Sequence, residues 1–263
     1  MTGYIVCSAK FDISLLFLAL GVFVLASGAS ALNEVQEWKH DALMFRTQKR
    51  PIPSGLISPL SAFVVSLLLI LIGSTILLTI SPIAAALGLF NIIWYNLLYT
   101  YLKRVSAFAV VPGSLTGAIP LLMGWTAADG AIFDASIVFI AFFIFIWQIP
   151  HFWLLMLKYG NEYQQAGFPT INQSLNTKSL KRIIFSWILA SSLTSIMIPL
   201  FVVDISLAFF VAIFILNITF VAIFIKLTFA KVSDIHLSKS FISINVYMII
   251  FMLMLAIYRL LGF

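Results

Sequence analysis

Residues Asn33 to Ser54 read NEVQEWKHDALMFRTQKRPIPS, and this stretch puts three acidic and four basic side chains together in a chain that is 62% hydrophobic and 9% charged. On either side the sequence is apolar: ISLLFLALGVFVLASGASAL leads into it from Ile13, and another apolar run begins at Leu60. Runs of about 20 such residues, at roughly 1.5 Å each, are long enough to cross a hydrocarbon layer of about 30 Å. Inside that layer every backbone polar group needs an internal partner, which a helix supplies. With a mean hydropathy of +1.12 the chain is not a soluble protein. The expected fold is all-α, a polytopic bundle of membrane helices.

Hydropathy predicts eight spans, at 12–32, 60–80, 82–102, 107–127, 132–156, 183–203, 206–226 and 242–261. Thirteen of the 15 Lys and Arg residues fall in the loops 33–59, 103–104, 157–182 and 226–241, against Lys10 and Arg259 at the other face. The positive-inside rule makes the basic face cytoplasmic and starts the chain outside, and the opposite loops carry Asp129, Asp134 and Asp204. One transmembrane domain over 1–263, multi-pass in the inner (plasma) membrane, is expected. The net charge of +6 is absorbed by topology and lipid headgroups, so no nucleic-acid partner is expected. Cys7 is the only cysteine, which excludes an internal disulfide and a cysteine-built metal site.

Helical periodicity continued past Leu32 turns each four-residue step by about 40°, so Asn33, Glu37 and Asp41 form one drifting stripe of oxygen donors. Magnesium takes hard oxygen ligands, commonly one or two carboxylates with phosphate and water completing the shell. Arg46, Lys49 and Arg50 follow within reach of phosphate oxygens, Arg through its bidentate fork. Pro51 and Pro53 are expected to break the helix and turn the chain back. The stripe reads as a magnesium-diphosphate site facing the cytoplasm. The plainer reading of the same residues is a solvated, positive-inside loop.

Two further stretches carry polar groups near span ends. Tyr95 to Trp125 includes Lys103 and Arg104, either snorkelling or binding anions, and Gly113, Gly117 and Gly124, which allow close helix packing beside a cavity. Phe145 to Thr170, FIWQIPHFWLLMLKYGNEYQQAGFPT, places His151 inside an apolar span just after Pro150, which is expected to loosen the preceding turn. Trp147, Phe152 and Trp153 either pack the bundle or wall a ligand. Asn217 and Asn245 are the polar residues of the last spans and read as interhelical hydrogen bonds.

The pattern NxxxExxxDALMxRTxxRPxPSGxISP, with YTxxLKR, GAIPLLMGW and WQxPHFW, resembles the UbiA superfamily of intramembrane prenyltransferases, and specifically its protoheme IX farnesyltransferase (heme O synthase) branch. The resemblance implies transfer of a farnesyl group from farnesyl diphosphate to a vinyl group of heme b, dependent on Mg2+. It implies Asn33, Glu37, Asp41 and Glu162 as metal ligands, and Arg46, Arg50, Lys103 and Arg104 on the diphosphate. Tyr99, Trp147, Gln148 and His151 are implied at the heme. Membrane lipids, and downstream heme-modifying or oxidase-assembly proteins, are the implied further partners.

The chain departs from the family at several points. Glu37 stands where Asp is common, Asn161-Glu162 replaces paired aspartates, and Val111-Pro112-Gly113 replaces a glycine pair. The family generally has nine spans, and MTGYIVCSAKFD resembles the short loop that comes after its first. Two alternatives stand beside this reading. One is a sister enzyme that prenylates an aromatic quinone precursor, and the other a non-catalytic heme- or lipid-binding assembly protein.

Overall fold

The computed structural model describes residues 1–202, 206–229 and 234–262. Asp204, assigned to the acidic face by its place in the sequence, lies outside the described residues. In order, the helices longer than one turn are α1 (Thr2–Ser8), α2 (Ile13–Asp41), α3 (Pro59–Ile80), α4 (Pro82–Leu102), α5 (Ala107–Thr126), α6 (Ala135–Gln165), α7 (Thr177–Leu200), α8 (Leu207–Phe229) and α9 (Asp234–Leu260). Among the described residues there is no strand, and the eight helices α2 to α9 are long and apolar enough to cross a membrane.

Helix starts follow from capping chemistry. Asp12 accepts the Leu15 N–H at 3.1 Å to open α2, and Asn176 accepts the Ser179 N–H at 2.8 Å to open α7. Ser81-Pro82 does two jobs: its extended backbone ends α3, then the Ser81 hydroxyl caps Ala84 N–H with Pro82 in the first turn of α4.

Apolar side chains such as Phe23, Leu71, Ile218 and Leu253 cover the outside, as a bilayer requires. The helices meet in two ways. Between α2 and α3 the backbones touch: a Cβ on Gly73 would stand 2.5 Å from Leu25 N, and one on Gly28 would stand 2.8 Å from Ile70 N. The small residues near the end of the first apolar run thus act as expected, letting two helices close up. Around α6, by contrast, large side chains fill the space. Phe143, Ile140 and Ile149 are fully buried against Ile188 of α7, Ile213 and Phe224 of α8, and Ile244 and Phe251 of α9.

Two expectations are corrected. MTGYIVCSAKFD is not simply a loop: Thr2–Ser8 is helical, Gly3 lies against the Leu121 carbonyl of α5, and Arg259 Nε donates to Val6 O at 3.0 Å. Helix α2 ends at Asp41 rather than at Pro51, because Thr47 Oγ1 donates to Asp41 O at 2.9 Å and Leu43 N–H takes the His40 carbonyl, folding the chain into turns. Helix α6 runs on through Pro150, which cannot donate to the Ile146 carbonyl but does not end the helix.

Candidate functional site

The last turns of α2 present Asn33, Glu37 and Asp41 inward, 6%, 5% and 2% exposed. Each has its own partner. Asn33 Nδ2 donates to Thr100 Oγ1 at 3.0 Å, Lys103 Nζ donates to Glu37 Oε2 at 2.6 Å, and Arg50 Nη1 donates to Asp41 Oδ2 at 2.8 Å. Arg50 Nε also lies 3.5 Å from Glu34 Oε1. Burial is the largest influence on the Arg50 guanidinium and opposes its charge, but Asp41, through charge and hydrogen bond, and then Glu34 outweigh it and raise its pKa.

The α4 side of the site depends on a π-helical stretch, Ile93–Tyr99. A π segment seats an extra residue in the turn and rotates the residues beyond it, and such segments concentrate at functional sites. Here Thr100 Oγ1 donates to Tyr95 O at 2.9 Å, and Asn96 Nδ2 donates to Ala29 O at 3.0 Å and Gln36 Oε1 at 3.2 Å. Gln36 Nε2 returns a bond to Asn96 O at 3.1 Å, and Arg104 Nη2 donates to Gln36 O at 2.8 Å. Helices α2 and α4 are thereby laced together beside the stripe, and Lys103 faces Glu37.

The turns after α2 reach the far end of α6. Arg46 N–H donates to Glu162 Oε2 at 3.0 Å, and its guanidinium donates to Tyr163 OH at 3.1 Å and lies 5.6 Å from the Tyr159 ring centre. His40 Nδ1 sits 2.9 Å from Ala166 O. Two stretches more than 100 residues apart in sequence therefore meet at one end of the bundle. Lys49 is exposed on this segment. Among the described residues, no three His, Cys, Asp or Glu side chains gather into a group able to hold a metal ion. Asn33, Glu37, Asp41 and Glu162 share the same end but are not drawn around one point, because Lys103, Arg50 and the Arg46 amide each hold one carboxylate. The donor set still suits magnesium. Glu37 Oε1 is buried with no partner in the protein, and one or two carboxylates are all this ion commonly takes from a chain.

Two openings adjoin these groups. A pocket of about 50 Å³ lies between Lys103, Tyr99, Phe152, Tyr163 and Phe168. A largely apolar cleft of about 190 Å³ runs along α2 from Val22 to Ser30, one turn short of Asn33, with Asn91 and Tyr95 of α4 and Thr116 and Met123 of α5 opposite. The arrangement places a cation-and-carboxylate end beside an apolar slot.

The four aromatic and polar residues expected at the heme divide. Tyr99 lines the pocket, and its ring fills the space left by Gly113. Gln148 stands against Gly117, where a Cβ would overlap its amide, and its Oε1 is buried without a partner. Trp147 and His151 face α9 instead: Trp147 Nε1 donates to Ile244 O at 2.9 Å, and the His151 ring lies 4.8 Å from that of Phe241. Sequence reading passed over Gln36, His40, Asn96 and Phe168. Gln36 and His40 precede Glu37 and Asp41 by one residue, on the adjoining helix face, and Asn96 is a polar interruption of an apolar span, so the signal was present.

An all-helical membrane bundle with buried carboxylates matched to cations over an apolar slot defines a class, and comparison with known proteins gives it. The chain matches the UbiA prenyltransferase family over residues 1–257 and belongs to that family. Among its relatives, the protoheme IX farnesyltransferase of Bdellovibrio bacteriovorus is 41% identical over 157 residues, covering 59% of this chain and 54% of that protein. That of Geobacter sulfurreducens is 37% identical over 187 residues, covering 71% of this chain and 69% of that one. The chain thus spans about half the length of the first and about two thirds of the second. In fold it is similar to a digeranylgeranylglyceryl phosphate synthase, with a TM-score of 0.79 at 17% identity over 98% of this chain and 91% of that one. It is also similar to a UbiA homolog from Archaeoglobus fulgidus bound to GPP and Mg2+, with a TM-score of 0.65 at 11% identity over 98% and 92%.

Proposed function

We propose that this chain, acting as one transmembrane domain, transfers a farnesyl group from farnesyl diphosphate to a vinyl group of heme b, giving heme O and diphosphate. The observation that carries the reading is the ladder of buried carboxylates matched to cations, Glu37 with Lys103 and Asp41 with Arg50, beside an apolar cleft. The names of its relatives supply the acceptor. By the positive-inside rule the site faces the cytoplasm from the inner membrane.

The farnesyl chain lies in the cleft along α2. Arg46, Arg50, Lys103 and Arg104 hold the diphosphate, and Asn33, Glu37, Asp41 and Glu162 are the residues that would hold magnesium. When bound, the ion supplies charge neutralisation of the leaving group. The allylic carbon–oxygen bond then breaks with its electron pair leaving on diphosphate, and the arginines and lysine stabilise the charge that develops there. The farnesyl cation bonds to the terminal vinyl carbon, and water adds to the adjacent carbon and loses a proton. Tyr99 and Phe152 border the pocket and keep bulk water from the cation.

Because the carboxylates are occupied by the chain's own cations, substrate entry is an exchange of partners. Diphosphate would draw Lys103 and Arg50 away from Glu37 and Asp41, and the carboxylate oxygens so freed would be open to hold magnesium. Each ligand therefore prepares the site for the other. Calorimetry with magnesium alone, pyrophosphate alone and the two together should show each tightening the other roughly 5- to 150-fold, the usual range of coupling. Independent binding would sink the exchange. Incubation of purified protein with farnesyl diphosphate and either heme b or 4-hydroxybenzoate, read by product mass, tests the acceptor. Prenylated 4-hydroxybenzoate, or no metal-dependent release of diphosphate, would overturn the assignment.

A further inference from the structure

On the outer surface of the bundle, the seam between α8 and α9 does not close. Two clefts, of about 320 and 340 Å³, share Ile223, Ile242 and Ser243 and run together as one groove. Its floor is the stacked pair Phe220 and Tyr247, ring centres 3.8 Å apart and nearly parallel, and Ile250 ends it in the apolar layer. At the other end stand Lys226 of α8 and Lys239 of α9, both exposed. Among the residues whose side chains are described, neither lysine forms an ion pair, and no acidic side chain lines the groove. From Lys239 to Ile250 the helix rises roughly 16 Å at 1.5 Å per residue. That is close to half of a hydrocarbon core of about 30 Å, the depth of one leaflet. Lys158 Nζ donates to Ser238 Oγ at 2.9 Å, which fixes the basic end of the groove on the same membrane face as Glu162, one turn further along α6.

We infer that this groove binds an anionic phospholipid, with one acyl chain on the Phe220–Tyr247 floor and the phosphate between Lys226 and Lys239. An acyl chain is the solvent this surface already meets, so the apolar length alone selects no headgroup. The two lysines do: they put two positive charges at the polar end of the groove, which a phosphate with no ammonium of its own neutralises, whereas a zwitterionic headgroup brings a competing cation. The site shares no residue with the diphosphate end.

Native mass spectrometry of the purified protein titrated with phosphatidylglycerol or phosphatidylcholine tests the assignment. The wild type should retain phosphatidylglycerol in preference. The exposed lysines can change without disturbing the bundle, and Lys226→Gln with Lys239→Gln should weaken that preference roughly fivefold for each charge removed. Lys178→Gln, an exposed lysine on the same face at the start of α7, should leave it intact. Ser243→Phe fills the groove and should lower retention of both lipids with the charges in place. Unchanged preference in the double variant, an equal loss in Lys178→Gln, or undiminished retention in Ser243→Phe would each overturn it.

Discussion

Two clusters of buried polar side chains sit in this bundle, and they are finished differently. In the one formed by α7, α8 and α9, Ser195 Oγ and Tyr247 OH both donate to Asn217 Oδ1 at 2.9 Å and lie 2.7 Å from each other, while Asn217 Nδ2 donates to Ile213 O at 2.9 Å. Every side-chain oxygen and nitrogen in it has a partner. At the α2–α4–α6 end, Glu37 Oε1, Asn96 Oδ1 and Arg104 Nε are buried and have none. A buried polar atom left alone costs about 1–3 kcal/mol. A cluster that only holds helices together is closed by folding, as the first is. One that leaves several atoms open in a low-dielectric site leaves room for a ligand, an ion or water to supply the missing partners.

Breaking the open cluster should cost function far more than stability. Asp41→Ala or Arg50→Ala should reduce farnesyl transfer by about a hundredfold or more, the scale of losing one group aimed at developing charge. The bundle should survive. Arg50 is 34% exposed at its side chain, so in Asp41→Ala water replaces the carboxylate, and helical circular dichroism should melt close to the wild-type temperature. Wild-type rates in either variant would remove these residues from the site.

The closed cluster should respond in the opposite sense. Asn217→Leu removes the acceptor shared by Ser195 and Tyr247 and should destabilise the bundle by about 1–3 kcal/mol. Thermal melting in detergent reads that loss, and joint binding of magnesium and pyrophosphate should be unchanged in the folded fraction. If ligand binding falls while melting holds, the two clusters are not independent.

Much of this contrast is legible in the residues before any coordinates. Apolar run length places eight spans, and the four-residue spacing of Asn33, Glu37 and Asp41 puts them on one stripe because a helix has no other way to arrange that period. Asn217 reads correctly as interhelical for the same reason any amide in an apolar span does. What is not legible is partnership. Pairing of Lys103 with Glu37 requires the π stretch at Ile93–Tyr99 to set the rotation of α4, and no period in IIWYNLLYT announces it. The stop of α2 at Asp41 depends on a hydroxyl six residues ahead, whereas the visible breakers are the later prolines. The meeting of Arg46 with Glu162 is a tertiary fact that residue chemistry alone does not supply, and the family pattern implies only that Glu162 joins the stripe around a metal.

His151 tests whether open atoms mark ligands beyond the diphosphate end. Its Nδ1 is buried without a partner, and its ring lies among Trp147, Phe152 and Phe241, with centres 5.0, 5.5 and 4.8 Å away. If that nitrogen belongs to the heme, His151→Ala should weaken heme binding by about tenfold, the worth of one hydrogen bond to a charged group, near 1.5 kcal/mol. Alanine also empties space between three rings, so lost packing could mimic lost recognition. His151→Phe separates the two, because it keeps a ring in the gap and removes only the nitrogens. Heme absorbance titration should show both variants weakened alike, while melting should fall further for alanine than for phenylalanine, which loses the contact with Asn245 but keeps the packing. Wild-type heme affinity in His151→Phe would make the imidazole a packing group, and the contrast between open and closed clusters would then stop at α2 and α4.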